Sequence, residues 1–191
     1  MISGVVLAAG ISSRFGSTKQ IFVLGSKPLV VHAIDALRDA GAGEIIVVVG
    51  HDREAVEAVL PPDVHVVWNP DYRDGQATSL AAALHDVADD SEAAIVLQAD
   101  QPGITADDLR SLVAGFRETR AQIARLRYLD GPGPALLSRE IYAEAGHLHG
   151  DAGARLLIAS HPEWVHEVLV DRRTPHDIDT PGDLPGATGH Q

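Results

Sequence analysis

Cysteine is absent from this 191-residue chain. That excludes disulfides, iron–sulfur clusters and thiolate catalysis, and it fits residence in the reducing cytoplasm. Long apolar runs are missing as well: nothing approaches the roughly eighteen residues that a membrane span needs. The apolar opening, MISGVVLAAG, is too brief for a signal peptide and lacks a basic segment before it, so it reads as a first strand. Lysine is scarce, with Lys19 and Lys27 the only two in the chain. Carboxylates are plentiful, and the net charge is -12. That charge argues against nucleic acid and anionic membranes as partners. Yet residues 1–34 hold no Asp or Glu, while they do hold Arg14, Lys19 and Lys27. Such a segment suits a polyanionic ligand, for which a compact ammonium is a good point charge.

What is present alternates. Short β-branched runs at 4–7, 44–49, 64–68, 93–97, 122–126 and 165–170 are separated by helical periods at 29–37, 54–60, 79–87 and 107–116. Pro28 suits a first helical turn, and Thr105 with Asp108 three residues later predicts an N-cap. Strands alternating with helices at this spacing predict a parallel sheet covered on both faces. Beyond residue 127 the regularity weakens. Residues 130–134 read as a turn-rich loop, and 138–145 and 151–160 as two further helices. Length and a 45% hydrophobic content suit one domain over 1–184, followed by a flexible tail at 185–191. A monomer or weak homo-oligomer is expected.

Four segments carry groups suited to chemistry. The loop after the first strand runs Leu7-Ala8-Ala9-Gly10-Ile11-Ser12-Ser13-Arg14-Phe15-Gly16-Ser17-Thr18-Lys19. Its spacing fits neither a Walker A loop nor a dinucleotide fingerprint. Gly10 and Gly16 still let backbone N–H groups approach an anion. Ser12 and Ser13 add hydroxyls, and Arg14 and Lys19 add charge. Solvated cations on an ordinary turn would explain any one of these; their combination points to phosphate. In the second segment the run AAIVLQ leads straight to Asp100, then to a Pro102-Gly103 turn. A strand-end aspartate is often only a cap. In an open parallel sheet, however, ligands sit beyond the strands' carboxyl ends where strand order reverses. If the strands at 4–7 and 93–97 are neighbours there, Asp100 faces the phosphate loop and Mg²⁺ fits between them. The third segment is 176–183, where one of Asp177 and Asp179 is expected to enter the site and Asp183 to cap the turn. In the fourth, His149–Arg155, Asp151 is expected to cap a helix, and the glycine-flanked turn to hold an acceptor phosphate. The ten histidines show no zinc-ligand spacing.

These segments together resemble the MobA-like nucleotidyltransferases, and within them the molybdenum cofactor cytidylyltransferase branch. The resemblance rests on LAAGISSRFGSTK (7–19), NPDYRDGQATSL (69–80), QADQPGIT (98–105), GDAGARLLIASHPE (150–163) and DIDTPGDL (177–184), in that order. It implies a three-layer, Rossmann-like α/β nucleotidyltransferase fold with a mostly parallel central sheet. It also implies transfer of CMP from CTP to molybdopterin with Mg²⁺ as cofactor. By the same resemblance Leu7, Ala8, Ala9, Gly10, Ser12, Ser13, Arg14 and Lys19 bind the nucleotide, the loop from Gly10 to Lys19 wraps the triphosphate, and Gly75 and Ser79 meet the base and ribose. Asp100 ligates the metal, with Asp179 as a second carboxylate, and Asp151 and Arg155 meet the acceptor. Lys19, Arg14 and Asp100 are the catalytic set. Ala9 matches the LAAG of the cytidylyl branch, where the guanylyl branch shows LAGG. A molybdenum enzyme or its chaperone is the macromolecular partner implied.

Two departures from the family pattern stand out. The usual Gly-His-Pro block reads Gly131-Pro132-Gly133-Pro134, and the metal carboxylate follows Ala99. The first bears on the acceptor more than on the nucleotide. Three rival readings share these motifs: a guanylyltransferase of the same fold, a transferase acting on a sugar or polyol phosphate, and a non-catalytic nucleotide-binding accessory protein for molybdenum enzymes.

Overall fold

A computed structural model describes residues 1–151 and 153–183. The expected tail at 185–191 lies outside the described residues. The chain runs β1 (Ile2–Leu7), a short hairpin of β2 (Val23–Leu24) and β3 (Lys27–Pro28), α1 (Leu29–Asp39), β4 (Glu44–Val49), α2 (Arg53–Glu57) and β5 (His65–Trp68). It continues through α3 (Gln76–Asp86), β6 (Ala93–Gln98), α4 (Ala106–Thr119), β7 (Ile123–Tyr128), β8 (Pro132–Ser138), α5 (Tyr142–Ala145), α6 (Ala154–Ser160) and β9 (Val165–Val170).

The seven long strands form one sheet in the order β5-β4-β1-β6-β8-β7-β9. It is a mostly parallel sheet, with β8 alone running against its neighbours. The period of two in the strands decides what lies on each face. Ile2 and Val6 of β1, Val47 and Val49 of β4, and Ile95 and Leu97 of β6 pack under Val30, Ile34 and Leu37 of α1 and Leu109, Leu112 and Phe116 of α4. The alternate residues, Val5, Ile46, Val48 and Ala94, pack on the other face under Leu80 and Leu84 of α3 and Leu157 and Ile158 of α6. The result is the three-layer α/β architecture. Gly4 is required on the first face, because a Cβ there would meet the Leu37 side chain at 2.8 Å.

β1 lies between β4 and β6, and it pairs in parallel with both. Strand order therefore reverses at the β1–β6 boundary, and the crevice at the carboxyl ends of these two strands is where a ligand fits.

The region after residue 127 differs from expectation. Residues 132–138 form a strand, where a loop and the start of a helix were expected. Prolines lack the N–H that a ladder needs, and here Pro132 and Pro134 fall before the pairing with β6, which begins at Ala135 opposite Val96. A register shift in the β7–β8 pairing lies between Arg125 and Arg127. Leu136 and Leu137 then run fully buried through the sheet. The helix expected from 138 shrinks to Tyr142–Ala145, and the one expected from 151 begins at Ala154 with Gly153 as its N-cap.

The cap read at Thr105 is present as a full capping box. The Thr105 hydroxyl accepts from the Asp108 N–H at 3.2 Å, and Asp108 Oδ2 accepts from the Thr105 N–H at 2.9 Å. Asp108 is also ion-paired with Arg172. Thr105→Ala should lower the unfolding free energy by about 1 kcal/mol, read as a lower urea midpoint at constant slope. An unchanged midpoint would show that the cap contributes nothing to α4.

Candidate active site

A cavity of about 710 Å³ opens at the carboxyl ends of β1 and β6. The 10–19 loop builds one rim. Ser12 takes a left-handed backbone with φ 56°, and its carbonyl accepts from Phe15 N–H at 3.0 Å and Gly16 N–H at 3.3 Å. Gln20 staples this turn: its Nε2 donates to the Gly10 carbonyl at 2.8 Å and its Oε1 accepts from the Ser12 hydroxyl at 3.1 Å. Thr18, just before Lys19, donates its hydroxyl to Asp52. Phe15 anchors the loop from below in a small apolar cluster with Leu29 and Ile178.

Ile178 joins the two halves of the site. Its N–H donates to the Asp100 carbonyl at 2.9 Å, and its side chain is buried against Phe15 and Leu29. Residues two apart in extended chain share a face, opposite the residue between them. With Ile178 turned inward, Asp177 and Asp179 both line the cavity. That corrects the expectation that only one would. Asp183 holds the segment's bend: its Oδ2 accepts from the Thr180 N–H at 2.7 Å and the Asp179 N–H at 3.1 Å. These donors hold the Asp183 carboxyl below the usual carboxylate range, with the Thr180 N–H the largest cause. Asp177 accepts from Gln101 at 2.9 Å. Its carboxyl is pushed up, first by loss of surrounding water and then by the Asp100 and Asp179 charges, with Gln101 and Lys19 opposing.

At the centre, Lys19 Nζ lies 2.6 Å from Asp100 Oδ2 and 3.2 Å from Asp179 Oδ1. Arg14 reaches the other oxygen of Asp179 at 2.9 Å, from a side chain 73% exposed. Lys19 and Asp100 are withdrawn, with side chains 15% and 13% exposed. Asp100 Oδ1 is buried, and no described residue hydrogen-bonds to it. An acceptor left so is worth about 1–3 kcal/mol to whatever satisfies it. Two hard carboxylates with a buried free oxygen fit a divalent cation of the Mg²⁺ type, which takes one or two carboxylates and completes its shell with phosphate and water. Among the described residues there is no group of three or more His, Cys, Asp or Glu that would cage an ion unaided.

The opposite rim comes from 69–79 and 150–155. Asn69 Nδ2 donates to the hydroxyls of Thr78 and Ser79, each at 2.9 Å, and fixes the turn before α3. Gly75 has φ 109°, and a Cβ there would strike the Gly150 backbone. The Gly150 carbonyl accepts from Ala77 N–H at 3.0 Å. This close approach brings Asp151 and Arg155 to the cavity.

Of the residues singled out by sequence, Leu7, Ala9, Gly10, Ser12, Ser13, Arg14, Lys19, Gly75, Ser79, Asp100, Asp151, Arg155 and Asp179 line this one cavity. Ala8 does not: its side chain packs in the core beside Val6, because alternation along the strand end turns it inward. Lys27 is also elsewhere, ion-paired with Asp35 beside the β2–β3 hairpin. Asp151 does not cap α6, which starts after Gly153. Sequence reasoning missed Gln20, Tyr72, Arg73, Gln76 and Gln98 as lining residues. All but Gln20 fall within the quoted blocks, so adjacency was the available signal.

Residues 4–165 match the MobA-like NTP transferase domain. The nicotine blue oxidoreductase of Paenarthrobacter nicotinovorans is 29% identical over 94% of this chain and 92% of its own. The crystal structure of Rv0371c from Mycobacterium tuberculosis H37Rv superposes with a TM-score of 0.87 at 34% identity, covering 95% of this chain and 94% of that one. The same Rv0371c has a crystal structure in complex with manganese, with a TM-score of 0.84 at 33% identity over the same shares of the two chains. CMP:2-keto-3-deoxy-manno-octonic acid synthetase complexed with CTP shares the fold, with a TM-score of 0.76 at 19% identity over 96% of this chain and 95% of that one.

Two of the positive-φ glycines at the site separate backbone freedom from backbone contact. Gly16, at φ 80°, has nothing within 4 Å of a Cβ position, whereas Gly75 abuts Gly150. Gly16→Ala should lose about 1–2 kcal/mol of stability from conformation alone, and Gly75→Ala clearly more, compared by urea unfolding. Equal losses would show that the 150–155 turn does not rest on Gly75.

Proposed function

This chain belongs to the MobA-like NTP transferase family of nucleotidyltransferases, and from that premise we propose that it transfers CMP from CTP to the phosphate of molybdopterin, with Mg²⁺ as cofactor. The observation that carries the reading is Lys19, shared between Asp100 and Asp179 at the mouth of the 10–19 loop, with Asp100 Oδ1 buried and free. A cation shared by two carboxylates is what an incoming triphosphate competes for. The choice of CTP is supported by Ala9 in the LAAG segment, and that of molybdopterin by the 69–80 and 150–163 blocks.

The chemistry asks little of an acid or base. An oxygen of the acceptor phosphate forms a bond to the α-phosphorus of the NTP. The bond from that phosphorus to the oxygen bridging to the β-phosphate breaks, and pyrophosphate leaves with the electron pair. The attacking oxygen is already anionic, so no proton need be removed. The protein's work is alignment and charge neutralisation. Lys19 and Arg14 set positive charge against the triphosphate as pyrophosphate departs. Gly10, Ser12 and Ser13 offer loop donors to its oxygens, and Gly75 and Ser79 border the nucleoside. Asp100 and Asp179 would hold the divalent ion, which supplies charge to the α-phosphate and the leaving group. Asp151 and Arg155 face the acceptor.

The test is pyrophosphate release with each of the four NTPs and Mg²⁺, with and without molybdopterin. Release is expected with CTP and only when molybdopterin is present. Asp100→Ala should lower that rate by about 10²–10³-fold, the loss typical of one strong transition-state contact. A folded Asp100→Ala protein of normal turnover would sink the assignment. Preference for GTP would make it a guanylyltransferase, and turnover of sugar phosphates would move the acceptor to that class. Nucleotide binding without release would favour an accessory protein. Oxidation of NADH or NADPH without release would favour the redox activity in the name of the 29% identical relative.

A further inference from the structure

The turn that leaves β4 braces the site from behind. Gly50, His51 and Asp52 do not line the cavity, yet they hold both ends of the loop that does. The His51 N–H donates to the Ala9 carbonyl at 3.2 Å, where the loop leaves β1. Asp52 accepts from the Thr18 hydroxyl, where the loop ends. Gly50 permits this approach: a Cβ there would lie 2.9 Å from the Ala9 Cβ and 2.7 Å from the Tyr72 side chain. Tyr72 lines the cavity from the opposite rim, so one turn supports both rims.

Asp52 is out of character for its place. It stands at the N-cap of α2, where an aspartate ordinarily has extended backbone and accepts from N–H groups of the first turn. Here its backbone is left-handed, with φ 48° and ψ 40°, and its carboxylate caps nothing in α2. Thr18 departs in the same way. It stands at the start of the Lys19–Ile21 turn, and its side chain makes no cap there. Each residue forgoes its local partner for the other, across 34 positions of sequence. His51 Nε2, at 3.9 Å, is too far from the Asp52 carboxylate to hydrogen-bond to it. An uncommon backbone conformation kept beside a site marks a constraint from outside the turn.

That constraint falls on Lys19. Thr18 is buried and directly precedes it. The only other side chain that meets the Lys19 backbone among the described residues is Ser12, whose hydroxyl accepts from the Lys19 N–H at a long 3.4 Å. A lysine side chain is a flexible four-carbon stem, so the place of its backbone decides where the ammonium comes to rest. That ammonium must meet Asp100 and Asp179, which arrive from separate segments. The Thr18–Asp52 hydrogen bond ties the backbone beside Lys19 to the end of β4.

We propose that Asp52 is a positioning residue: by accepting from Thr18 it sets where Lys19 stands, and with it the charge that meets the triphosphate. The identity of the anion rests on the nucleotidyltransferase reading, while the placing of Lys19 stands on this geometry.

Three variants of the full chain test it. Asp52→Ala removes the acceptor, Asp52→Asn keeps an oxygen there without the charge, and Thr18→Val removes the donor at similar volume. Mg²⁺–CTP binding is read by calorimetry. Asp52→Ala and Thr18→Val should each weaken it by about tenfold, and Asp52→Asn by no more than about threefold. In a Lys19→Ala background, Asp52→Ala should add no more than about twofold, because the residue it places is gone. Equal losses in the two backgrounds would make Asp52 a structural residue and overturn the proposal. So would unchanged binding by Asp52→Ala, or a loss in Asp52→Asn as large as in Asp52→Ala.

A ¹⁵N–¹H NMR spectrum of the side-chain ammonium groups reads the placing of Lys19 without nucleotide. Lys19 and Lys27 are the only lysines, and Lys19→Ala assigns their signals. The Lys19 signal should shift in Asp52→Ala and Thr18→Val and hold in Asp52→Asn, while Lys27, paired with Asp35, stays unmoved. A Lys19 signal unchanged by Asp52→Ala overturns the proposal. If Mg²⁺–CTP does not bind the unaltered chain, the nucleotidyl reading falls, and this signal alone decides the role of Asp52.

Discussion

Two carboxylates compete for one ammonium at the heart of this protein. Asp100 and Asp179 both reach Lys19, and Arg14 completes the pair on Asp179. These groups come from three separate parts of the chain, so the rest of the fold is arranged to bring them together. Asp100 is delivered by the end of β6, Lys19 by the loop that leaves β1, and Asp179 by the segment that follows β9. The three meet because β1 and β6 are parallel neighbours and because Ile178 ties the last segment to both the Asp100 backbone and Phe15. Remove the apolar contact of Ile178 and Asp179 loses its place, although no charge has changed.

The local electrostatics differ from those of the molecule as a whole. The chain is strongly acidic, yet the 1–34 segment supplies only cations. Within the cavity the carboxylates of Asp100, Asp151, Asp177 and Asp179 are set against Lys19, Arg14, Arg73 and Arg155. A free polyphosphate would meet carboxylates there and be repelled. One accompanied by a divalent ion meets carboxylates that coordinate the ion and cations that neutralise its oxygens. The pairing of nucleotide with metal thus follows from the balance of the cavity's charges.

Much of this was legible before any coordinates. The alternation of strands and helices pointed to the α/β class, and the uninterrupted apolar runs at 45–49 and 93–97 are what a sheet covered on both faces requires. Adjacency of β1 and β6 was a condition of placing Asp100 opposite the phosphate loop, and the sheet order supplies it. The misses share a physical origin. β8 was hidden because Pro132 and Pro134 argue against a strand unless one knows that the pairing with β6 begins beyond them. Gln20 was hidden because its role is to hold carbonyl and hydroxyl groups of a turn, for which the sequence carries no pattern. The Ala8 side chain went to the core because a loop's first residue still obeys the strand's alternation.

The central claim is that nucleotide and metal complete one site between Asp100 and the 10–19 loop. Binding of two ligands that share a site is reciprocal: each must strengthen the other by the same factor. The direct measurement is a titration of Mn²⁺, followed by electron paramagnetic resonance, with and without saturating CTP, corrected for the ion bound by CTP in solution. The account predicts that CTP tightens Mn²⁺ binding to the protein by about tenfold or more, and that this gain disappears in Asp100→Asn. Equal Mn²⁺ affinity with and without CTP, or a gain that survives Asp100→Asn, would contradict it.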